Sequence, residues 1–480
     1  MTKIQIIDKV NKMFQNNEKI DKAFYPIIEE FFARLAEEFS LSEQELDKKI
    51  DQYGKIEAIK FEKLKEGEAR NCSNLFHFND QINEFEGITD LNVSFSISDL
   101  KNILLGNKNE LDKFIETAFH EFGHSIQLNY KKEFAFSGLA KTYYSAEKQK
   151  SYTQGKMINE IAEVISSQRL MHGNLIDEVY GYKAYRELGK AIITSLGISE
   201  KELSELQMKE MGREEYEKCI EQKLGKGYEP SLMAIESAFD TVHSIINTEK
   251  INDESKQNIG IQLKNINFLC NDILKKRIIN AGKNNITELA LISIDNKDKN
   301  RYISNVINKY ENVLPEKFEI NNDVIDLIKE TSPLTDMEAL NKEIDRIENE
   351  RIINLLDDCN SYNNEYLANK IIESMRSIDI SKYPLKQRIE LSIYKKIGNI
   401  KGKFEGTKIQ KLPEKTYSSF KERRNKFKTR INNGYALEEY NNMEIDNIKN
   451  MQKGKGENED IRENNDRWYW ICMYTSISYW

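Results

Sequence analysis

The sequence predicts a mainly α-helical protein with a small β-sheet, and three observations support this prediction. The 480 residues include only 6 Pro, and a hydrophobic fraction of 39% beside 31% charged residues is typical of a globular chain. Apolar residues recur at spacings of three and four through most of the chain, which indicates helices. Residues 91–97 instead alternate apolar and polar side chains, which indicates a strand.

Charge and cysteine usage limit the classes of protein that the sequence can belong to. The formal net charge of −8, from 71 basic and 79 acidic residues, gives no overall positive field for nucleic acid. The five Cys show no paired spacing, so neither a disulfide framework nor a Cys-ligated zinc is expected. The first residues form no apolar run, and no uncharged apolar stretch of about 18 residues occurs. We therefore expect no membrane span, no secretion signal and a cytoplasmic location.

The first part of the chain is predicted to be structural. Residues 1–70 carry helical apolar spacing, and Pro26 is placed to begin the second helix. Residues 74–78 and 91–97 are predicted strands. In the second of these, we expect the apolar residues at odd positions to be buried and Asn92, Ser94 and Ser96 to face water.

One motif carries the chemistry of the sequence. Residues 116–127 read Glu-Thr-Ala-Phe-His-Glu-Phe-Gly-His-Ser-Ile-Gln, which contains the pattern H-E-x-x-H. On a helix, His120 and His124 lie one turn apart on the same face and can reach one ion, while Glu121 lies beside them. The apolar spacing around the motif predicts that it lies within a largely buried helix, where His and Glu require partners. This pattern indicates a zinc site of the hydrolase type.

A second predicted helix, at about 157–172, offers the remaining ligand. A catalytic zinc takes three protein ligands and keeps one open position, so we expect a carboxylate from a nearby helix. Glu160 and Glu163 both qualify, and because they are three residues apart they share one face of the helix. The spacing alone leaves both open.

Together these motifs resemble a known family. Residues 116–126 resemble the metal helix of the thimet oligopeptidase and oligoendopeptidase F family of gluzincins, and Ala162-Glu-Val-Ile-Ser-Ser167 resembles its second signature. The resemblance covers about 60 residues, near 115–172, implies a zincin-like α+β catalytic domain, and favours Glu163 as the third ligand. Gln127, where the family usually has His, and the longer interval between the signatures depart from it. The longer interval, with Asn159-Glu160 and Arg169-Leu-Met-His172, is similar to the lethal-factor type of metallopeptidase.

The resemblance also implies a mechanism. His120, His124 and Glu163 would hold Zn²⁺, and Glu121 would accept a proton from the attacking water and pass it to the leaving amine. Gluzincins add a downstream Tyr or His donor for the oxyanion. The candidates are Tyr182, Tyr185 and His243.

The rest of the chain is predicted to be helical and then disordered. We expect N-terminal helices of the catalytic unit over 1–70, the catalytic core over 71–248, a helical domain over 249–450, and a disordered linker with an aromatic tail over 451–480. Lys411–Arg430 holds eight Lys and Arg against two Glu, which could contact nucleic acid or an anionic surface, although a solvated helix face is favoured.

The sequence thus predicts a zinc metallopeptidase that hydrolyses oligopeptides. One alternative is a toxin or effector metalloprotease specific for one protein substrate. Another, of a different class, is a helical scaffold or nucleic-acid-associated protein with a structural or defunct metal site. The oligomeric state is not predicted.

Overall fold

The computed structural model describes residues 2–14, 20–64, 69–79, 84–145, 150–173, 183–246, 252–309, 324–357, 362 and 364–405. Within these ranges the chain is mainly helical and has two small β-sheets, which confirms the predicted fold class. The predicted linker and aromatic tail and the basic stretch 411–430 lie outside the described residues.

Three helices open the chain, and their ends follow local sequence signals. They are α1 (Lys3–Phe14), α2 (Tyr25–Glu38) and α3 (Glu43–Tyr53). Pro26 lies in the first turn of α2, as predicted, where its missing N–H costs no hydrogen bond. α3 begins with a capping box, because the Ser42 hydroxyl accepts from the Glu45 amide and the Glu45 carboxylate accepts from the Ser42 amide.

The first sheet consists of β1 (Ala58–Glu62), β2 (Ala69–Asn79) and β3 (Glu84–Ser96), in the order β1-β3-β2. β3 is the central strand, parallel to β1 and antiparallel to β2. The prediction of one wet face is wrong at Ser94 and Ser96, which are both buried. Burial of Ser96 costs little because its hydroxyl donates to the Leu64 carbonyl and accepts from the Ser98 amide at the start of the next helix.

The two helices that matter for the site, α5 (Lys108–Ser125) and α6 (Lys156–His172), flank the second sheet in the chain. α5 follows α4 (Ile97–Leu105) and carries the H-E-x-x-H motif. The antiparallel sheet follows, in the order β4-β5-β6-β7, and then α6. Its strands are β4 (Leu128–Tyr130), β5 (Phe134–Ser137), β6 (Ala140–Ser145) and β7 (Lys150–Gln154). The long interval between the two predicted ligand helices is therefore occupied by this sheet.

The remainder of the described chain is helical. Its helices are α7 (Lys183–Leu196), α8 (Glu200–Met208), α9 (Gly212–Leu224), α10 (Glu229–Ile246), α11 (Asp253–Ala281), α12 (Ile286–Lys309), α13 (Val324–Thr331), α14 (Met337–Asp357), α15 (Asn364–Met375) and α16 (Leu385–Glu405). Among the described residues, every helix is too short or too polar to cross a bilayer.

The buried apolar residues form three clusters that do not follow chain order. The first combines residues of 6–128 and a few side chains of α6 and α8 with side chains of α15 and α16, including Leu367, Ile371 and Leu391. The second extends from Leu139 to Val306, and the third covers residues of α11 to α14. The predicted boundary near residue 248 therefore lies inside the second cluster.

Candidate metal centre

α5 presents the two predicted histidine ligands together. Its apolar face is buried, and Phe119 and Phe122 pack on Phe31 of α2 with ring centroids 5.6 and 5.7 Å apart. This packing fixes the rotation of α5, so that His120 and His124 lie on another face one turn apart. Their Nε2 atoms are 3.1 Å apart.

α6 supplies the carboxylate that completes the group, and the carboxylate belongs to Glu160. Its Oε2 lies 3.6 Å from His120 Nε2, and its Oε1 lies 3.6 Å from His124 Nε2. One ligand atom from each of the three residues lies within 4.8 Å of the other two. Two imidazoles and one carboxylate thus converge on a single point between α5 and α6.

Glu163, which the family resemblance favoured as third ligand, is placed differently. Its side chain is fully buried and packs against Gly123, where an added Cβ would lie 1.8 Å from Glu163 Oε1. Its other carboxylate oxygen accepts a hydrogen bond from Gln127 Nε2. The group of close ligand atoms contains Glu160 and not Glu163, so the geometry corrects that preference. The reason is axial position: Glu163 is about one turn further along α6 and meets α5 at the glycine between the histidines.

The charges in the group are strongly coupled. Burial alone would lower the pKa of His124, but the carboxylates of Glu160, Glu163 and Glu121 together outweigh it and raise that pKa to about 10. Burial would raise the pKa of Glu160, but the two histidines hold it well below its ordinary value. Burial raises the pKa of Glu163, which is also close to Lys49, a side chain whose pKa burial lowers to about 8.

The donor atoms suit a divalent ion of the zinc type. An ion with tetrahedral bonds of about 2.0–2.2 Å places its ligand atoms roughly 3.3–3.6 Å apart. The Nε2 atoms of His120 and His124 are 3.1 Å apart, and each lies 3.6 Å from one oxygen of the Glu160 carboxylate, a different oxygen for each histidine. Imidazole nitrogens and a carboxylate are also ligand types that zinc accepts. The residues present therefore fit the predicted metal.

Glu121, the predicted proton acceptor, lies at the edge of the group. It is buried on α5 and interacts electrostatically with His124. Because it directly follows His120 in the helix, its carboxylate is offset from the ligand face by about a quarter of a turn. This position is the one that the H-E-x-x-H pattern predicts for a base beside the metal.

Of the three candidate oxyanion donors, the structure describes the side chain of one, His243. His243 is buried on α10 and interacts electrostatically with Glu160. Burial lowers the pKa of His243 to about 4, so its ring is uncharged near neutral pH. Tyr182 lies outside the described residues, as does the side chain of Tyr185.

Polar residues outside the ligand group hold the elements of the centre together. Asn159 Oδ1 accepts from the Leu139 amide and thereby fastens the second sheet to α6. Gln207 Nε2 donates to the Asn159 carbonyl, which ties α8 to the same point. Gly123, between the two histidines, is the one local feature of the sequence that indicates the close approach of α6. A residue without Cβ allows a second helix to pack closely.

Comparisons with known proteins give no relative for this chain. No protein-family model matches it, and neither the curated proteins nor the solved structures that were searched contain a match. The resemblances to the oligopeptidase family and to the lethal-factor type therefore stay predictions.

Proposed function

We propose that the protein is a zinc-dependent metallopeptidase in which His120, His124 and Glu160 hold the metal and Glu121 moves the proton. The observation that carries this proposal is the convergence of two imidazoles and the Glu160 carboxylate beside the buried Glu121. The two Nε2 atoms are 3.1 Å apart, and each lies 3.6 Å from an oxygen of Glu160. A bound zinc ion supplies Lewis acidity, which makes a water molecule nucleophilic near pH 7 and polarises a carbonyl.

The residues of the chain have separate roles in this proposal. Glu121 accepts the proton of the attacking water and delivers it to the nitrogen of the leaving amine, so it acts first as base and then as acid. His243, which is uncharged near neutral pH and lies close to Glu160, is the described candidate for donating a hydrogen bond to the carbonyl oxygen. Oligopeptide substrates and a cytoplasmic location belong to the proposal, and the free thiols of Cys219 and Cys270 are consistent with a reducing compartment.

Metal content tests the ligand set. We expect the wild-type chain to bind about one zinc ion, since one group of this kind is present among the described residues. Glu160→Gln should lose most of the metal, whereas Glu163→Gln on the same helix should keep it. Zinc measured by mass spectrometry after dialysis distinguishes the two variants. Wild-type protein without zinc, or loss confined to Glu163→Gln, would contradict the assignment.

Peptide cleavage tests the reaction. Glu121→Gln should keep its zinc and abolish cleavage of a quenched fluorescent peptide library, because the amide cannot accept the proton. Glu110→Gln is the matched control on the same helix, where the native carboxylate accepts a hydrogen bond from Lys113 instead. It should cleave as well as the wild type. Equal activity in Glu121→Gln would sink the peptidase proposal.

A further inference from the structure

The last described helix carries an apolar stripe on the side that faces away from the rest of the described chain. Leu385, Ile389, Ile393 and Ile397 follow one another at intervals of four residues along α16. They are 65%, 55%, 51% and 39% exposed, respectively. Their spacing places them on one side of the helix over roughly 18 Å, and we call them the outer stripe.

Contacts on the opposite face fix the rotation of α16, so the outer stripe cannot turn inward. Leu391 is fully buried in the first hydrophobic cluster. Gly398 lies directly on α4, because an added Cβ there would be 1.8 Å from the Leu104 carbonyl oxygen. Arg376 Nη2 donates to the Gly398 carbonyl at 2.8 Å. The exposure of the stripe therefore follows from how the helix packs.

The same helix is basic. α16 contains six Lys and Arg against two Glu, in a chain whose net charge is −8. Lys386 and Lys396 are exposed on α16 among the residues of the outer stripe. Glu390, one of the few acids, pairs with Lys101 at 2.8 Å. The positive charge of α16 thus lies next to the outer stripe.

We propose that α16 binds the surface of an anionic lipid bilayer through its outer stripe and its basic residues. In this arrangement the helix lies in the plane of the membrane, the outer stripe enters the boundary between headgroups and acyl chains, and the lysines meet lipid phosphates and carboxylates. This surface is separate from the candidate metal centre, so the inference does not depend on the proposed peptidase activity.

The chemistry of the stripe favours a membrane over the other partners. Leu and Ile side chains offer no ring for stacking on bases, so nucleic acid would use the lysines and leave the stripe in water. A second copy of this chain would bring two segments of like charge together, which opposes association. An anionic bilayer satisfies both features at once, because it is negative at the surface and apolar beneath.

Vesicle binding by the full chain tests the proposal. We expect flotation with vesicles of phosphatidylcholine and phosphatidylserine, and binding weaker by about tenfold or more to pure phosphatidylcholine. Ile389→Gln with Ile393→Gln should weaken binding to the anionic vesicles by about tenfold or more, since the apolar contribution is lost. Ile261→Gln with Ile279→Gln is the matched control on α11, where the native residues are 55% and 61% exposed. It should bind as the wild type does.

The same set of variants controls for misfolding and for the alternative partners. Gln is a better helix former than Ile, so both double variants should keep the wild-type melting temperature. Equal binding to neutral vesicles, or anionic binding unchanged by the α16 substitutions, would overturn the proposal. The proposal would also be overturned if the chain fails to bind vesicles and instead retains an oligonucleotide duplex. The same holds if it fails to bind vesicles and forms a dimer in light scattering that the α16 substitutions dissociate.

Discussion

Gly123→Ala should disturb the candidate metal centre by a mechanism that the structure defines in detail. The new methyl carbon would lie 1.8 Å from Oε1, 2.5 Å from Cδ and 2.8 Å from Oε2 of Glu163. A long exposed side chain could swing away, but Glu163 is fully buried between α5 and α6. Either the carboxylate leaves its hydrogen bond with Gln127, or the two helices move apart.

The magnitude follows from three contributions. Overpacking of a close contact costs about 1–3 kcal/mol. Leaving a buried polar group without its hydrogen bond costs about 1–3 kcal/mol more. Replacing Gly by Ala within a helix stabilises the native state by about 1 kcal/mol. We therefore expect the free energy of unfolding to fall by roughly 1–5 kcal/mol, and zinc affinity to fall with it because α5 and α6 carry the ligands.

A double-mutant cycle isolates the clash. Urea unfolding of Gly123→Ala, Glu163→Ala and the double variant gives the coupling between the two sites. Glu163→Ala removes the atoms that meet the new methyl group, so the second substitution should cost about 2 kcal/mol less in that background than in the wild type. If Gly123→Ala is equally destabilising in both backgrounds, the reasoning from the contact with Glu163 is refuted.

Two further predictions concern buried cations. Arg34→Met should lower the free energy of unfolding by about 3–5 kcal/mol, because the buried guanidinium donates to the last carbonyls of α6 and to Asn364. Thermal melts check this against Arg346→Met, an exposed arginine whose loss should not change the melting temperature measurably. Burial lowers the pKa of Lys299 to about 8, below the value of about 10.4 in the unfolded chain. The charged amine therefore destabilises the native state below pH 8, and the free energy of unfolding of the wild type rises between pH 8 and about 10.4. Lys299→Met should stabilise the protein by about 2 kcal/mol at pH 7, with the gain vanishing toward pH 10.5; a gain independent of pH in urea titrations would contradict this origin.

Features encoded over short distances could be predicted from the sequence. The helical spacing around the motif predicted α5, and the spacing at 157–172 predicted α6 within one residue of its observed limits. Both signals depend on which side chains share a face of the same helix. The convergence of His120 and His124 follows from one turn of helix and needs no knowledge of the tertiary fold.

The choice between Glu160 and Glu163 could not be made in the same way. The two residues share a face of α6, so the choice depends on how far that helix is shifted along α5. The shift is set by close contacts between helices, above all the approach of Glu163 to the backbone of Gly123. A contact of this kind joins residues 40 positions apart in sequence, and no periodic pattern records it.

The clusters of the core were unpredictable for a related reason. Leu367, Ile371 and Leu391 pack with residues of 6–128, although the intervening chain builds the second and third clusters. Each of these helices has ordinary apolar spacing, which shows that it buries a face but not against which partner. The burial of Ser94 and Ser96 in β3 has the same origin, since the position of a strand within its sheet depends on distant pairing.

The makeup of the first cluster has a consequence for synthesis in the cell. A ribosome adds about 5–20 residues per second, so the apolar surface of residues 6–128 waits on the order of tens of seconds for Leu391 to emerge. During that time α2 and α5 expose the surface that α15 later covers, and α4 exposes the surface that α16 later covers. The nascent chain is therefore expected to depend on chaperones that shield apolar segments. An expressed fragment ending near residue 250 should aggregate because it lacks α15 and α16, which cover this apolar surface.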